Sequence, residues 1–177
     1  MQNIPDEHPL TALLALPVVD RTRRNHGLEH ATLTLLARRN PRLRLVGRST
    51  PAGFYLYGDV STEAVQVAAA EALQRLRAGE HDLAVHPNCG TNFVIAGFAA
   101  ACAAYLGFVG ANHWRDRWGR LPLVALLCTL AIMAAQPVGL AVQRDFTTSG
   151  AVRDLAIARI DRAETGSIVT HFVATEG

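Results

Sequence analysis

Two uncharged apolar runs set the limits on what this 177-residue chain can become. Phe93 to Ala111 holds nineteen residues without a charge, and Leu121 to Gln143 holds twenty-three. About 20 apolar residues cross the hydrocarbon core of a bilayer, so each run is long enough to span it as a helix. The alternative is a pair of buried helices in a soluble protein, but a domain of this size rarely carries two such runs back to back. The expectation is a two-helix transmembrane hairpin, at residues 92–143, with spans near 92–112 and 121–143. Small residues at helical spacing, Gly97–Ala101 and Ala100–Ala104, are expected to let backbones approach closely, within the hairpin or in a helix-mediated homo-oligomer. The linker Asn112 to Arg120 carries three arginines and two tryptophans, which suits a tip at the membrane–water interface.

An even number of spans puts residues 1–91 and 144–177 on one side of the membrane. Arginines in a short loop favour a cytoplasmic tip. Against this, no secretory signal precedes the N-terminal segment, and the reading adopted is a cytoplasmic N-terminal segment and tail. The stretch Leu10 to Val19 is apolar but broken by Pro17 and lacks a basic flank, so it reads as an interfacial or docking helix rather than a signal.

Composition narrows the chemistry. All seventeen basic residues are arginine, so no lysine can serve as a Schiff base or a phosphate-loop anchor. A net charge of +2 is too small to argue for nucleic acid. Cys89, Cys102 and Cys128 are odd in number and far apart, which implies no disulfide framework and fits a reducing compartment.

Outside the apolar runs the spacing predicts a small α+β domain. Leu28, Ala31, Thr32, Leu35 and Leu36 make one helical stripe between Asp20 and Asn40, and Pro41 stops it. Leu43, Leu45, Phe54 and Leu56 alternate with other residues around the turn-forming cluster Ser49 to Gly53, which predicts a hairpin. Ser61 or Thr62 then caps a second helix, buried through Val65, Ala69, Ala72, Leu73 and Leu76 and ended by Gly79. Leu155–Arg162 and Ser167–Ala174 read as a C-terminal β-hairpin. A lone hairpin is marginal in water, so this tail, residues 144–177, is expected to join the sheet of the N-terminal domain, residues 1–91.

Chemistry concentrates in two clusters. In His26-Gly27-Leu28-Glu29-His30 the two histidines stand at i and i+4, so on a helix both imidazoles can reach one ion. Glu29, three residues after His26, can share that face. In His86-Pro87-Asn88-Cys89-Gly90-Thr91, His86 and Cys89, one or both, can complete a zinc site begun by His26 and His30. The alternatives are a solvated helix face beside Arg23 and Arg24, and a turn in which Pro87 and Gly90 steer the chain toward the first span. Glu71 is expected to face solvent and pair with Arg75. Asp59 serves helix entry or supports a ligand imidazole. His171 is expected at the surface, His8, His81 and His113 have no evident partners, and Cys102 and Cys128 read as small apolar residues of the spans.

The clusters HGLEHAT, at His26–Thr32, and HPNCGTNF, at His86–Phe93, followed at once by an apolar run, resemble uncharacterised bacterial membrane proteins with HGxEH and HPxCGT motifs. The chain is similar to the YqhQ-like family of predicted metal-dependent enzymes. That resemblance implies a site made by His26, Glu29, His30, His86 and Cys89, and supplies no substrate. The H-x-x-E-H pattern is also similar to that of the inverted zinc peptidases, where two histidines hold zinc and the glutamate is the base. Their downstream glutamate ligand has no clear counterpart here.

Three readings follow. One is a membrane-anchored zinc-dependent hydrolase acting on a membrane-associated substrate, with Glu29 catalytic and with His26 and His30, joined by His86 or Cys89, as ligands; all four together would close the site and favour a structural ion. The second is an integral membrane protein whose metal is structural. The third is a metal-free interaction domain.

Overall fold

Pro17 separates two helices. A computed structural model of the protein describes residues 9–166 and 168–177. It places α1 at Pro9–Leu14 and α2 at Pro17–Arg39, so the break expected in Leu10–Val19 falls where α2 begins. Proline suits a first helical position because its missing N–H has no partner there in any case. The predicted apolar stripe is buried from Leu28 to Leu36, and α2 ends at Asn40, before Pro41. His8 lies outside the described residues.

Two short strands follow, β1 at Val46–Thr50 and β2 at Gly53–Tyr57, with Pro51 and Ala52 at their turn. Ser49, expected in the turn, lies in β1 instead. The helix α3 covers Thr62–Arg77, and the Ser61 hydroxyl accepts from the Ala64 N–H at 3.2 Å, as its capping role predicts. Glu71 accepts from Arg75 at 3.4 Å and from Arg39 as well. A single 3₁₀ turn, His81–Ala84, comes next.

The tail supplies β3, Ala156–Thr165, and β4, Ile168–Glu176. Its strands join the N-terminal pair in one antiparallel sheet of order β1-β2-β4-β3. Helices α2 and α3 pack on each other and on this sheet, around Leu28, Leu36, Phe54, Leu56, Val65, Leu76 and Val173. The fold is α+β, and the C-terminal hairpin completes the sheet. Buried Asn25 fastens α2 to it. Its amide donates to the Thr50 and Pro51 carbonyls at 2.9 and 3.2 Å, and its oxygen accepts from the Thr175 hydroxyl at 2.8 Å.

His171, expected at the surface, is fully buried. The reason is strand order: β4 is an inner strand between β2 and β3, and His171 lies on the same side of it as the core residue Val173. Its Nε2 lies 3.0 Å from the Thr62 hydroxyl, while buried Nδ1 has no hydrogen-bond partner among the described residues. Burial first, and then the Arg162 charge opposite it on β3, hold the imidazole below the usual histidine range. The folded chain therefore keeps His171 neutral where the unfolded chain protonates it. Its contribution is fully present above about pH 6.5 and is lost as the pH falls from there through the folded-state value. His171→Leu is expected to make stability fall less steeply between pH 6.5 and 5 than in the wild type, measured by urea unfolding across that range. Equal slopes would remove His171 as the source.

The chain divides into two compact units, one ending at His86 and resumed by Arg144–Gly177, the other Pro87–Gln143. The second unit is an antiparallel pair of helices, α4 at Gly90–Phe108 and α5 at Trp114–Val142. Both are long and apolar enough to cross a membrane, and none of the most apolar stretch of α4 and 17% of that of α5 is buried. The linker expected to reach Arg120 is mostly helical, because α5 already starts at Trp114. The Asp116 carboxylate accepts from the His113 N–H at 3.3 Å and closes the helix start, which gives His113 a role as the capping residue. The tip arginines close the end of α4: Arg120 donates to the Val109 carbonyl at 2.5 Å and Arg117 to that of Ala111 at 3.2 Å.

Of the small residues, Gly97 and Ala101 are exposed, and a Cβ on Gly97 would meet nothing within 4 Å. Close approach between α4 and α5 is made at Gly107, where a Cβ would lie 2.8 Å from Val124, at Gly139, where one would lie 2.5 Å from the Asn92 side chain, and beside Ala100, whose carbonyl accepts from the Cys128 thiol at 3.4 Å. At the other end of the pair, buried Gln143 donates to the Asn92 side chain at 2.6 Å.

Candidate metal centre

The motif pentapeptide lies in the middle of α2, on a face covered by two distant segments of the first unit. Gly27 makes one of these contacts possible. A Cβ there would fall 2.1 Å from the Ser149 carbonyl oxygen, and the Ser149 N–H donates to the Arg23 carbonyl at 2.9 Å. With no side chain at position 27, the segment from Thr147 to Gly150 lies directly on the helix. The 3₁₀ turn ending at Ala84 covers the same region, 3.2 Å from that absent Cβ.

These two segments orient the imidazoles. His26 Nδ1 lies 2.9 Å from the Thr147 carbonyl oxygen, and His30 Nδ1 lies 2.8 Å from that of Ala84. A carbonyl oxygen only accepts, so Nδ1 must carry the proton in both rings. In the neutral imidazole this leaves the lone pair on Nε2. Histidines that bind metals almost always show this arrangement, with the second nitrogen donating to a carbonyl or carboxylate.

The rings are close together. The centroids of His26 and His30 are 4.3 Å apart with planes at 62°, and those of His30 and His86 are 5.8 Å apart. His30 is 2% exposed, while His26 and His86 are partly exposed. The alternative of a solvated helix face therefore does not hold at His30, which tertiary contacts cover. Burial, followed by the neighbouring His30, holds the His86 imidazole below the usual histidine range. His86 thus stays in the neutral form that a ligand requires.

Glu29 is also buried, and its carboxylate is turned toward β1. It accepts from the Ser49 hydroxyl and fills the space over Gly47, where a Cβ would lie 2.0 Å from Oε1. Burial raises its carboxyl above the usual range, while the Ser49 hydrogen bond and the His26 charge pull it back. Cys89 belongs to the second unit, where it is buried and immediately precedes α4. Asp59 is exposed before α3.

Sequence spacing singled out His26, Glu29, His30 and His86 but did not show what contacts them: His30 adjoins His26 and His86, while Glu29 turns to the sheet. Gly47 and Ser49 form the slot for Glu29, and Thr147 and Ala84 supply the orienting carbonyls. One signal was available. Glycine inside a helix costs about 1 kcal/mol relative to alanine, which marks Gly27 as a place where something approaches closely.

No solved structure matches the chain. An uncharacterised protein of Picosynechococcus sp. (strain ATCC 27264 / PCC 7002 / PR-6) is 34% identical over 164 residues, covering 85% of this chain and 77% of that protein. A family described as a domain of unknown function, DUF6391, matches residues 21–160. That stretch takes in the motif helix, the 3₁₀ turn, both long apolar helices and the segment that orients His26. The protein belongs to the DUF6391 family.

Proposed function

We propose that this chain is a membrane-anchored metalloprotein whose His26, His30 and His86 hold one zinc ion, and that it acts as a hydrolase with Glu29 as general base. The observation that carries the reading is the matched pair of Nδ1 contacts to the Thr147 and Ala84 carbonyls, which place the lone pair of each neutral ring on Nε2, the nitrogen a metal would take. Three neutral imidazoles suit zinc, and a catalytic zinc site keeps three protein ligands and one open position. A zinc held there would act as a Lewis acid that activates water as a nucleophile at neutral pH. The chain's own part is to fix the rings, to keep His86 neutral, and to offer the Glu29 carboxylate as proton acceptor. The raised Glu29 pKa suits that task, since a base works best near the operating pH. Cys89, three residues after His86 on the chain, is the fourth ligand that the sequence suggests, and its ligation would close the site and favour a structural ion. The likeness to the YqhQ-like family supports the same residues.

The two apolar helices are proposed to cross the cell membrane, with the first unit on the cytoplasmic face and a membrane-associated substrate. A structural role for the ion is the second reading. It is favoured by the Glu29–Ser49 hydrogen bond, which turns the carboxylate toward the sheet.

Elemental analysis of detergent-purified protein tests the metal. About one zinc per chain is expected for the wild type, with little in His30→Ala. His86→Ala, at a partly exposed position, repeats the test with less risk to folding. A wild type that neither retains nor takes up a transition metal sinks the reading. A Cys89→Ser protein with full zinc affinity would remove the thiolate from the ligand set.

A further inference from the structure

The segments that orient the motif imidazoles also line a cleft of about 300 Å³ in the first unit. Ala84, whose carbonyl holds His30, belongs to its wall, as does Thr148, next to the residue that holds His26. The cleft therefore adjoins the imidazole centre. Gly150 brings its wall close to the 3₁₀ turn, since a Cβ there would lie 2.7 Å from the His81 Cβ.

Its charge is one-sided. Arg23 and Arg144 line it, and among the described residues no aspartate or glutamate does. Arg23 donates to the Asp145 and Thr148 carbonyls at 2.9 and 3.2 Å, so backbone holds the guanidinium in place without neutralising it. Its Nε is buried and has no hydrogen-bond partner among the described residues. Arg144 is exposed and makes no ion pair or side-chain hydrogen bond among the described residues. Arg24, by contrast, is paired with Asp20 and Asp154, and Arg75 with Glu71 and Glu80.

A guanidinium fork fits the oxygens of a carboxylate or a phosphate. The number of charges decides between them. A phosphomonoester carries about −1.5 to −2 near neutral pH, which two arginines balance, whereas a carboxylate leaves one of them unmatched. We propose that this cleft binds the phosphate group of a phosphorylated ligand and so holds that ligand beside the imidazole centre. The placement beside a metal rests on the reading above, but the arginine cleft itself needs no metal. Arg144 follows the end of α5 by two residues on the chain, so a lipid headgroup and a soluble phosphorylated compound are both possible sources of that phosphate.

The test is binding of inorganic phosphate to the full chain in phosphatidylcholine nanodiscs, chelator-treated and zinc-loaded. Binding is expected in both forms, weakened about tenfold or more by Arg144→Gln. Ala151→Glu, which adds a carboxylate at an exposed wall position, is expected to abolish binding at unchanged zinc content, and Ala151→Gln to retain it. No binding in either form, or binding that needs zinc and ignores both charge-changing variants, overturns the proposal. Phosphate bound by a chain that takes up no zinc supports the cleft while removing the metal reading. A minor fraction of phosphatidic acid in the disc separates the sources. Competition with phosphate identifies a lipid headgroup, undiminished phosphate binding identifies a soluble ligand, and either result supports the phosphate site.

Discussion

Gly27→Ala is expected to lower metal affinity about 10–100-fold and to destabilise the first unit by about 1–3 kcal/mol. In an isolated helix the same change would be favourable by about 1 kcal/mol, since alanine is the better helix former. Here the new methyl meets backbone. It would lie 2.1 Å from the Ser149 carbonyl oxygen, 2.9 Å from the carbonyl carbon and 3.2 Å from the Ala84 side chain. Neither segment can swing away as the tip of a flexible side chain would. The first carries the carbonyl that holds His26, and the second carries the one that holds His30. One methyl thus disturbs both orienting contacts without touching a ligand. The shift in the unfolding midpoint and a competitive chelator titration measure the two effects separately. Wild-type zinc affinity in a destabilised Gly27→Ala protein would show that the carbonyl contacts do not tune the metal.

Glu29→Gln is expected to leave folding and zinc content nearly unchanged and to lower hydrolysis about 10²–10⁴-fold, the usual worth of a positioned base. The amide keeps the shape that fits over Gly47 and an oxygen for the Ser49 hydroxyl to donate to. It cannot take up a proton at neutral pH. A panel of phosphate and carboxylate esters provides the rate measurement, and zinc affinity is measured on the same samples. Loss of about 10–100-fold in zinc affinity would instead make Glu29 a group that orients His26, because supporting contacts to ligands are worth that much. That outcome would move the protein to the structural reading. The two measurements separate the roles because one follows the proton and the other the ligand geometry.

Local pattern carried much of this protein. The stripe from Leu28 to Leu36, the Ser61 cap, the stop after α3 and the two uncharged runs all depend on neighbours within a few residues. Helical and extended periodicity record such neighbours directly. The same holds for His26 and His30, whose i, i+4 spacing needs nothing beyond the helix itself. The start of α5 was missed although its signal is local, in the Asp116 carboxylate that caps the His113 N–H.

The chain alone could not show which way buried groups turn. His26 is oriented by a carbonyl 121 positions away and His30 by one 54 positions away. A backbone carbonyl leaves no mark in residue type, so no pattern announces it. Glu29 has the spacing of a metal-facing base, yet a strand glycine and a serine draw its carboxylate toward the sheet. His171 sits in an alternating strand like any surface histidine, and it is buried because β4 lies between β2 and β3. Sequence by itself determined the elements and the inventory of possible ligands, because both follow from short-range periodicity and side-chain chemistry. Only the tertiary structure decided tautomer, burial and direction, because these depend on backbone groups that distant segments bring within hydrogen-bond reach.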